Sequence, residues 1–303
     1  MDNFNVLVSG GDQPEDLVAD GWTDIMRNLT GIAAKLASRK LGRRLTKGER
    51  AELMELADYK KMNAVRARAQ KIVNDEKTAE LLQPWYRQFC KRPCFHDEYL
   101  DTYNRGNVTL VDTNGRGVER LTETGVVANG EHFEVDCLIF ATGFEVGTSY
   151  TRRSGYDIVG RGGQTLSEHW QEGLRTFQGL TSHGFPNCFF LGFTQTAVTV
   201  NVPHALNEQA KHVAHILQAG DRGTPTVEPT AQAEEDYVQE IAKSANVGAR
   251  FYAECTPGYY NSEGKRGNRS GFFSDMHSAG AIKFFKLLKD WRDEGSLEGL
   301  DLS

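Results

Sequence analysis

Lys91-Arg92 sets two cations side by side between Cys90 and Pro93. Farther along, the apolar run Cys137-Leu138-Ile139-Phe140-Ala141 stops abruptly on Thr142-Gly143-Phe144, and Asn187 to Gly192 (NCFFLG) repeats the pattern. Each run is too short for a helix and too continuous for a half-exposed strand, so both read as buried strands that end in a tight turn. Strand ends of that kind are where open α/β sheets hold ligands. After Gly192 come a loop, Phe193 to Val202, and a helix opened by Pro203 whose N-terminus points back toward the strand end. Exposed backbone N–H groups and the helix dipole there suit an anionic or electron-rich ligand. A plain turn glycine explains Gly143 equally well, whereas two such strand ends at one sheet edge would make a crevice.

Other chemistries find less support. Cys90, Cys94 and His96 crowd one short stretch, but their spacing matches no usual zinc pattern and no second pair sits nearby, so no metal is expected. His204 and His212 share a helix without the ligand pattern of a metalloprotease, and no nucleophile elbow supports a hydrolase. The five cysteines are odd in number and lack CxxC spacing, and they read as reduced thiols. Adjacent cations before a proline are usually surface residues, so Lys91-Arg92 taken alone reads as solvated.

The elements that must position these residues change character along the chain. Residues 1–89 look helical: Val18, Trp22, Ile25, Leu29, Ile32, Ala33 and Leu36 recur at helical steps, and Val65, Ala69 and Ile72 continue the period. Thr46 and Glu49 have the spacing of a capping box ahead of Leu53 and Leu56. From Asn107 the texture is short strands and turns: NVTLV, GVERL, GVV, the turn Asn129-Gly130, and CLIFA. A short helix is expected over Leu166 to Trp170. On the Pro203 helix, Leu206, Ala210, Val213, Ala214 and Leu217 form the expected buried stripe. Further helices are expected from about Thr230 to Ala245 and through Ile282, Phe285, Leu288 and Trp291 to Gly295.

The 303 residues carry a formal net charge of −6, yet Lys35 to Lys71 holds 12 basic and 4 acidic residues. Such a stripe could meet nucleic acid or a phosphorylated cofactor. Its helices also carry Glu49, Glu52, Glu55 and Asp58, with Tyr59 the single aromatic residue among them and no interleaved set of rings for base stacking, so a solvated face is the better reading and no nucleic-acid partner is expected. No run reaches membrane-helix length and the N-terminus has no signal core, so a cytoplasmic protein without a membrane partner is expected.

In order along the chain, KRPCFHDEYLDTYNRGNVTLVD, VDCLIFATGFE, TFQGLTSHGFPNCFFLG, VPHALNEQAKHVAHIL and CTPGYYNSEG resemble the C-terminal half of class B flavin monooxygenases, closest to the Baeyer-Villiger type. The resemblance runs from about Asp16 to the C-terminus. It implies an α/β fold, part of a flavoprotein with two Rossmann-like dinucleotide-binding domains, for FAD and NADP. Residues 1–89 would be a helical insertion segment, 90–145 the remainder of the NADP domain with its crossover, and 146–303 the C-terminal part of the FAD domain. Ala141, Thr142, Gly143 and Phe144 would then form a crossover where backbone meets cofactor. Gln195, Asn201, Pro203, His204 and Ala205 would lie by the flavin. Arg92 matches the family's catalytic arginine, whose fixed charge would stabilise anionic flavin and orient the nicotinamide, with Lys91 suited to an NADP phosphate.

The activity implied is NADPH- and dioxygen-dependent insertion of oxygen into a ketone, or heteroatom oxidation. The sequence departs from the family in one large respect. No GxGxxG or GxGxxA occurs, although the family uses such loops for both pyrophosphates. The chain is therefore expected to lack full activity alone, and its open sheet edges to pair with an N-terminal partner chain or with a second copy. The alternative is a non-catalytic remnant or subunit that binds a partner.

Overall fold

The computed structural model describes residues 2–29, 32–144, 150–197, 199–220, 226–244, 254–258, 260, 276–277 and 280–303. They fall into two compact units. The first comprises Met1–Ala57, Gln88–Arg92 and Glu145–Ser303, the second Asp58–Arg87 and Pro93–Phe144.

The first unit opens with helices α1 (Asp2–Val8), α2 (Gly21–Leu29) and α3 (Ile32–Leu41), so the single helical stripe read from Val18 to Leu36 is divided between two helices, and Val18 lies exposed ahead of the first of them. Asp20 caps α2: its carboxylate accepts from the Thr23 amide at 2.8 Å. Helix α4 (Lys47–Ile72) begins in this unit and continues into the other. Its start is the expected capping box, the Glu49 amide donating to Thr46 Oγ1 at 3.2 Å and the Thr46 amide to Glu49 Oε2 at 2.8 Å. The Arg43 guanidinium also grips Glu49, and together they draw its carboxyl down to about 2.

The second unit holds the rest of α4, then α5 (Glu76–Leu81) and α6 (Tyr99–Thr102). Ala69, Val73, Ala79 and Leu100 make its small core. Its sheet is a meander of β1 (Arg120–Leu121), β2 (Gly125–Ala128) and β3 (Glu131–Glu134), with Val127 opposite His132. Asn129 and Gly130 turn the hairpin as expected, both at positive φ, the conformation a two-residue primed turn demands.

Three expected strands are absent as ladders. Asn107 to Val111, Cys137 to Ala141 and Asn187 to Leu191 form no strand ladder among the described residues, although the Asn187 amide donates to the Val227 carbonyl at 2.9 Å. Instead of being buried, Ile139 is 81% and Phe140 72% exposed. Apolar composition records a preference for burial, but a strand exists only where a neighbour supplies the other half of each backbone bond. Asn187 to Leu191 is half-buried, with Phe190 donating its amide to the Leu180 carbonyl at 2.8 Å.

The remainder of the first unit is helical, with α7 (Tyr150–Ser154), α8 (Leu166–His169), α9 (Val202–Gly220), α10 (Ala231–Ser244) and α11 (Ala281–Glu294). The pair β4 (Val227–Pro229) and β5 (Leu300–Leu302) is antiparallel. Thr165 and Glu168 build a second capping box on α8, and Gly295 closes α11 in the left-handed conformation. Helices α9 and α11 pack together, and Ala281, Phe284 and Leu288 of α11 form a core with Ala197. The buried face of α9 differs from the expected stripe: Ala205, Gln209, His212, Ile216 and Gly220 point inward, while Leu206 and Leu217 face solvent. Both sets have helical spacing, and the buried one was hidden because it includes polar residues. Among the described residues no helix is long and apolar enough to cross a membrane.

Glu234 of α10 is the buried charge of this unit. It accepts from Ser182 Oγ at 2.8 Å and the His183 amide at 2.9 Å, with His169 Nε2 at 3.1 Å and Arg175 Nε at 3.4 Å. Burial pushes its carboxyl up, but the His169, His183 and Ser182 contacts outweigh that and hold it below its ordinary 4.5. Its stabilising share is therefore fully present above that value and lost as pH falls through the lowered one. Glu234→Ala, which strands its partners, is expected to cost about 3 kcal/mol in urea unfolding at neutral pH and to flatten the loss of stability below pH 4.5. A cost within experimental error, with the acid limb unchanged, would refute this account of the cluster.

Candidate functional site

The cationic pair sits on a sharply turned segment. Phe89 has φ +61°, a left-handed conformation that is uncommon for an aromatic residue. Next to it, Cys90 is joined to Cys255 by a disulfide with Cα atoms 5.2 Å apart. This corrects the reading of all five cysteines as thiols. The partners lie 165 residues apart, so no local spacing could announce them. Cys94, Cys137 and Cys188 are free thiols. Lys91 Nζ donates to the Pro257 carbonyl. Arg92 Nη1 approaches the Tyr260 hydroxyl at 3.4 Å, and its guanidinium lies 5.5 Å from the ring centre of Trp22. Phe89 stands between these rings, 6.3 Å from Trp22 and 6.2 Å from Tyr260.

The second cluster is the loop from Gly192 and the start of α9. Gln195 is buried at φ +59° and faces inward. Its Oε1 accepts from the Thr176 amide at 2.9 Å and hydroxyl at 2.6 Å, its Nε2 donates to Leu174 O at 2.8 Å, and its own carbonyl accepts from Tyr237 OH at 2.8 Å. Asn201 caps α9 by accepting from the His204 amide at 3.3 Å, and it donates to Asn5 Oδ1 of α1 at 2.7 Å. Pro203 is exposed, the His204 ring stands edge-on to Phe285 at 5.3 Å, and Ala205 is buried.

The helix start therefore differs from the expected row of exposed donors. The Val202 amide donates to Val200 O, the Ala205 amide to Asn201 O, the His204 amide to Asn201, and Pro203 has none. What remains for a ligand is the dipole of a 19-residue helix.

Ala141, Thr142, Gly143 and Phe144 belong to the second unit and share no element with either cluster. They are exposed, Phe144 at 87%. Gly143 has φ +87°, and a Cβ placed there would meet nothing within 4 Å, so glycine is required by conformation rather than by crowding.

Residue types alone missed several contributors. Gln209 of α9 clamps the strand end from below, accepting from the Gly192 amide at 2.8 Å and donating to its carbonyl at 2.9 Å. His212 packs on Trp291 with ring centres 4.8 Å apart; burial first, then the adjacent Arg292 charge, push its pKa down to about 3. Gln209 and His212 had a visible signal, since they fall on one face with Ala205 and Ile216. Trp22 had none, because it meets Arg92 only through folding, and Cys255 and Tyr260 were marked only by their place in the CTPGYYNSEG segment.

The chain is 51% identical over its whole length to neopentalenolactone D synthase of Streptomyces avermitilis, covering 50% of that protein. It is 42% identical to Baeyer-Villiger monooxygenase 4 of Dietzia sp., with 99% of this chain and 48% of the relative aligned. Among solved structures it superposes on polycyclic ketone monooxygenase of Thermothelomyces thermophila with a TM-score of 0.83 at 34% identity, covering 100% of this chain and 49% of the other. Over its whole length the chain is thus similar to about half of a Baeyer-Villiger monooxygenase. A steroid monooxygenase solved with NADP matches 82% of this chain, and 45% of that enzyme, at TM-score 0.65 and 29% identity. No protein-family model matches. The chain spans about half the length of the curated relatives it matches.

Asn201 allows a direct check on the helix start. Asn201→Ala removes both the cap and the bond to Asn5 and is expected to cost about 1 kcal/mol in chemical denaturation. Asn201→Asp keeps the cap acceptor but cannot donate to Asn5, so it should recover only part of that loss. Full recovery by the aspartate would show that the α1 contact adds nothing.

Proposed function

We propose that the chain is the C-terminal half of an FAD- and NADPH-dependent Baeyer-Villiger monooxygenase that uses dioxygen to insert oxygen into a small-molecule ketone or to oxidise a heteroatom. The observation that carries this reading is Arg92, a fixed cation braced by Trp22 and Tyr260, in a chain similar throughout to such enzymes. The chemistry supplied by a bound flavin is hydride acceptance and activation of dioxygen.

The residues fit the reacting end of such cofactors better than their phosphates. Arg92 would hold positive charge where negative charge develops, and a guanidinium keeps that charge across the working pH range. The α9 dipole would favour the same sign of ligand charge, with Pro203, His204 and Ala205 at its start. Gln195 would act by shaping the loop, since its side-chain amide is already bonded. Lys91 would exchange the neutral Pro257 carbonyl for an anionic phosphate oxygen, a stronger charge-assisted partner. Open backbone at Ala141, Thr142, Gly143 and Phe144 would let a cofactor approach closely. Among the described residues no shaped cradle for a pyrophosphate accompanies these groups: the sequence has no glycine loop, and the amides at the α9 start are already bonded.

The exposed run from Leu138 to Phe144 supports a partner, because its apolar side chains and open backbone suit a strand between neighbours. An N-terminal half carrying the glycine loops would supply both neighbours and cradle. The division at residues 89/90 and 145/146 belongs to that whole enzyme. A cytoplasmic setting goes with this reading and would expose the Cys90–Cys255 pair to cellular reductants. The second reading, a non-catalytic subunit, is favoured only by the missing glycine loops.

Expressed alone, the chain is expected to purify without stoichiometric flavin and to oxidise NADPH little. A dipole worth on the order of 1 kcal/mol cannot replace a phosphate cradle. Adding an N-terminal half with both glycine loops should restore flavin absorbance; no flavin uptake under any reconstitution would favour the non-catalytic subunit. In the joined enzyme, Arg92→Ala should leave flavin reduction measurable and reduce ester yield from a ketone by 100-fold or more, the order of effect of losing a fixed donor at a site of developing charge, roughly 10²–10³. Parental ester yield would overturn the role given to Arg92.

A further inference from the structure

We infer that Trp22, Tyr260 and the Cys90–Cys255 disulfide position Arg92, so that the placement of the cation depends on the redox state of that cysteine pair. The inference builds on the role proposed for Arg92 but is tested separately from it. An exposed arginine on a loop samples many rotamers, and a site that needs a fixed charge must restrict them. Here the restriction comes from several directions. Trp22 offers the face of its ring to the guanidinium and Tyr260 offers its hydroxyl. Asp20 fixes the start of α2, and with it the place of Trp22.

The backbone beneath Arg92 is held as well. Phe89 at φ +61° turns the chain into a conformation that L-residues adopt only where the surroundings enforce it. Part of the enforcement comes from Cys255, Pro257, Gly258 and Tyr260. Cys90 is bonded to Cys255, Lys91 reaches Pro257, and Phe89 packs on Tyr260. A Cβ added at Gly258 would stand 3.0 Å from Lys91 Nζ and 3.3 Å from the Cys90 carbonyl, so the two segments lie against each other. The disulfide is the one covalent tie in this set. Reduction would remove that tie and leave a strained turn to non-covalent contacts, among them the ring contacts, the lysine bond and a long hydrogen bond.

The redox step balances as thiol–disulfide exchange. The Cys90 and Cys255 thiols lose two protons and two electrons in forming their bond, and a small-molecule disulfide takes them up and leaves as two thiols. The reverse exchange frees both cysteines.

The test uses the whole 303-residue chain. Alkylation of the unreduced, denatured protein followed by mass spectrometry should modify Cys94, Cys137 and Cys188 and spare Cys90 and Cys255 until reductant is added. Arginine Nε–Hε resonances in ¹⁵N-labelled protein, with Arg92 assigned through Arg92→Lys, should show Arg92 displaced by the ring currents of Trp22 and Tyr260. That displacement should shrink in Trp22→Leu, which removes one of the two rings. It should collapse toward the solvated position on reduction and in Cys90→Ser, while Tyr260→Phe should broaden the signal. If Cys90→Ser fails to fold, the reduced parent gives the same reading.

Alkylation of every cysteine without reductant would overturn the disulfide's part. An Arg92 resonance at the solvated position in the parent, or one indifferent to reduction and to all three substitutions, would overturn the inference. These readouts require neither cofactor nor turnover. A displaced resonance together with unchanged ester yield in Arg92→Ala would therefore condemn the proposed function and leave the positioning intact.

Discussion

Buried side-chain amides do the work of a sheet around the strand-end loop. Gln195 bonds the backbone at Leu174 and Thr176, and Gln209 bonds both polar groups of Gly192. A buried carbonyl or amide left unpaired costs roughly 1–3 kcal/mol, so a loop without ladder partners needs such substitutes. Much of the unit follows from them. Gln209 fixes which face of α9 is inward, which brings His212 and Ile216 toward Trp291 and β4. The Gln195 carbonyl accepts from Tyr237 and ties in α10, and Glu234 on that helix organises Ser182 and His183.

Polar residues inside a helix face also explain where sequence reasoning went astray. A stripe of Leu206, Val213 and Leu217 has the right period, but the molecule buries Ala205, Gln209, His212 and Ile216. The amide of Gln209 has partners in the interior that Leu206 would not need, and satisfying them decides the rotation of the helix. Elements governed by neighbours in sequence were legible: the Thr46–Glu49 and Thr165–Glu168 caps involve residues three apart, and the Asn129-Gly130 turn needs only its own φ values. Cys137 to Ala141 is different. Its composition is that of a central strand, and nothing local can tell whether neighbouring strands are present.

The candidate site divides along the same line. Arg92 and the strand-end loop were marked by their order along the chain and their resemblance to a family. Cys255, Tyr260 and Trp22, which fix the guanidinium, lie far from it in sequence. Spacing rules for cysteines detect metal knuckles and short redox motifs, because those are local, and they pass over a bond that closes a loop of this length.

A long loop closure and a braced cation have a physical connection. Two segments separated by 165 residues meet at Cys90 and Cys255, and the entropy of bringing them together rises only slowly with that length. Once they meet, Lys91 and Phe89 add contacts on the same few residues at little further entropic cost. The cation is thereby preorganised by the fold of this chain, before any ligand arrives. Affinity for a dinucleotide is a separate matter, since it depends on backbone donors shaped around phosphates, and the amides of the α9 start are already bonded. Placing a fixed cation and shaping a phosphate cradle are therefore separate demands on a polypeptide, and a chain can meet the first without the second.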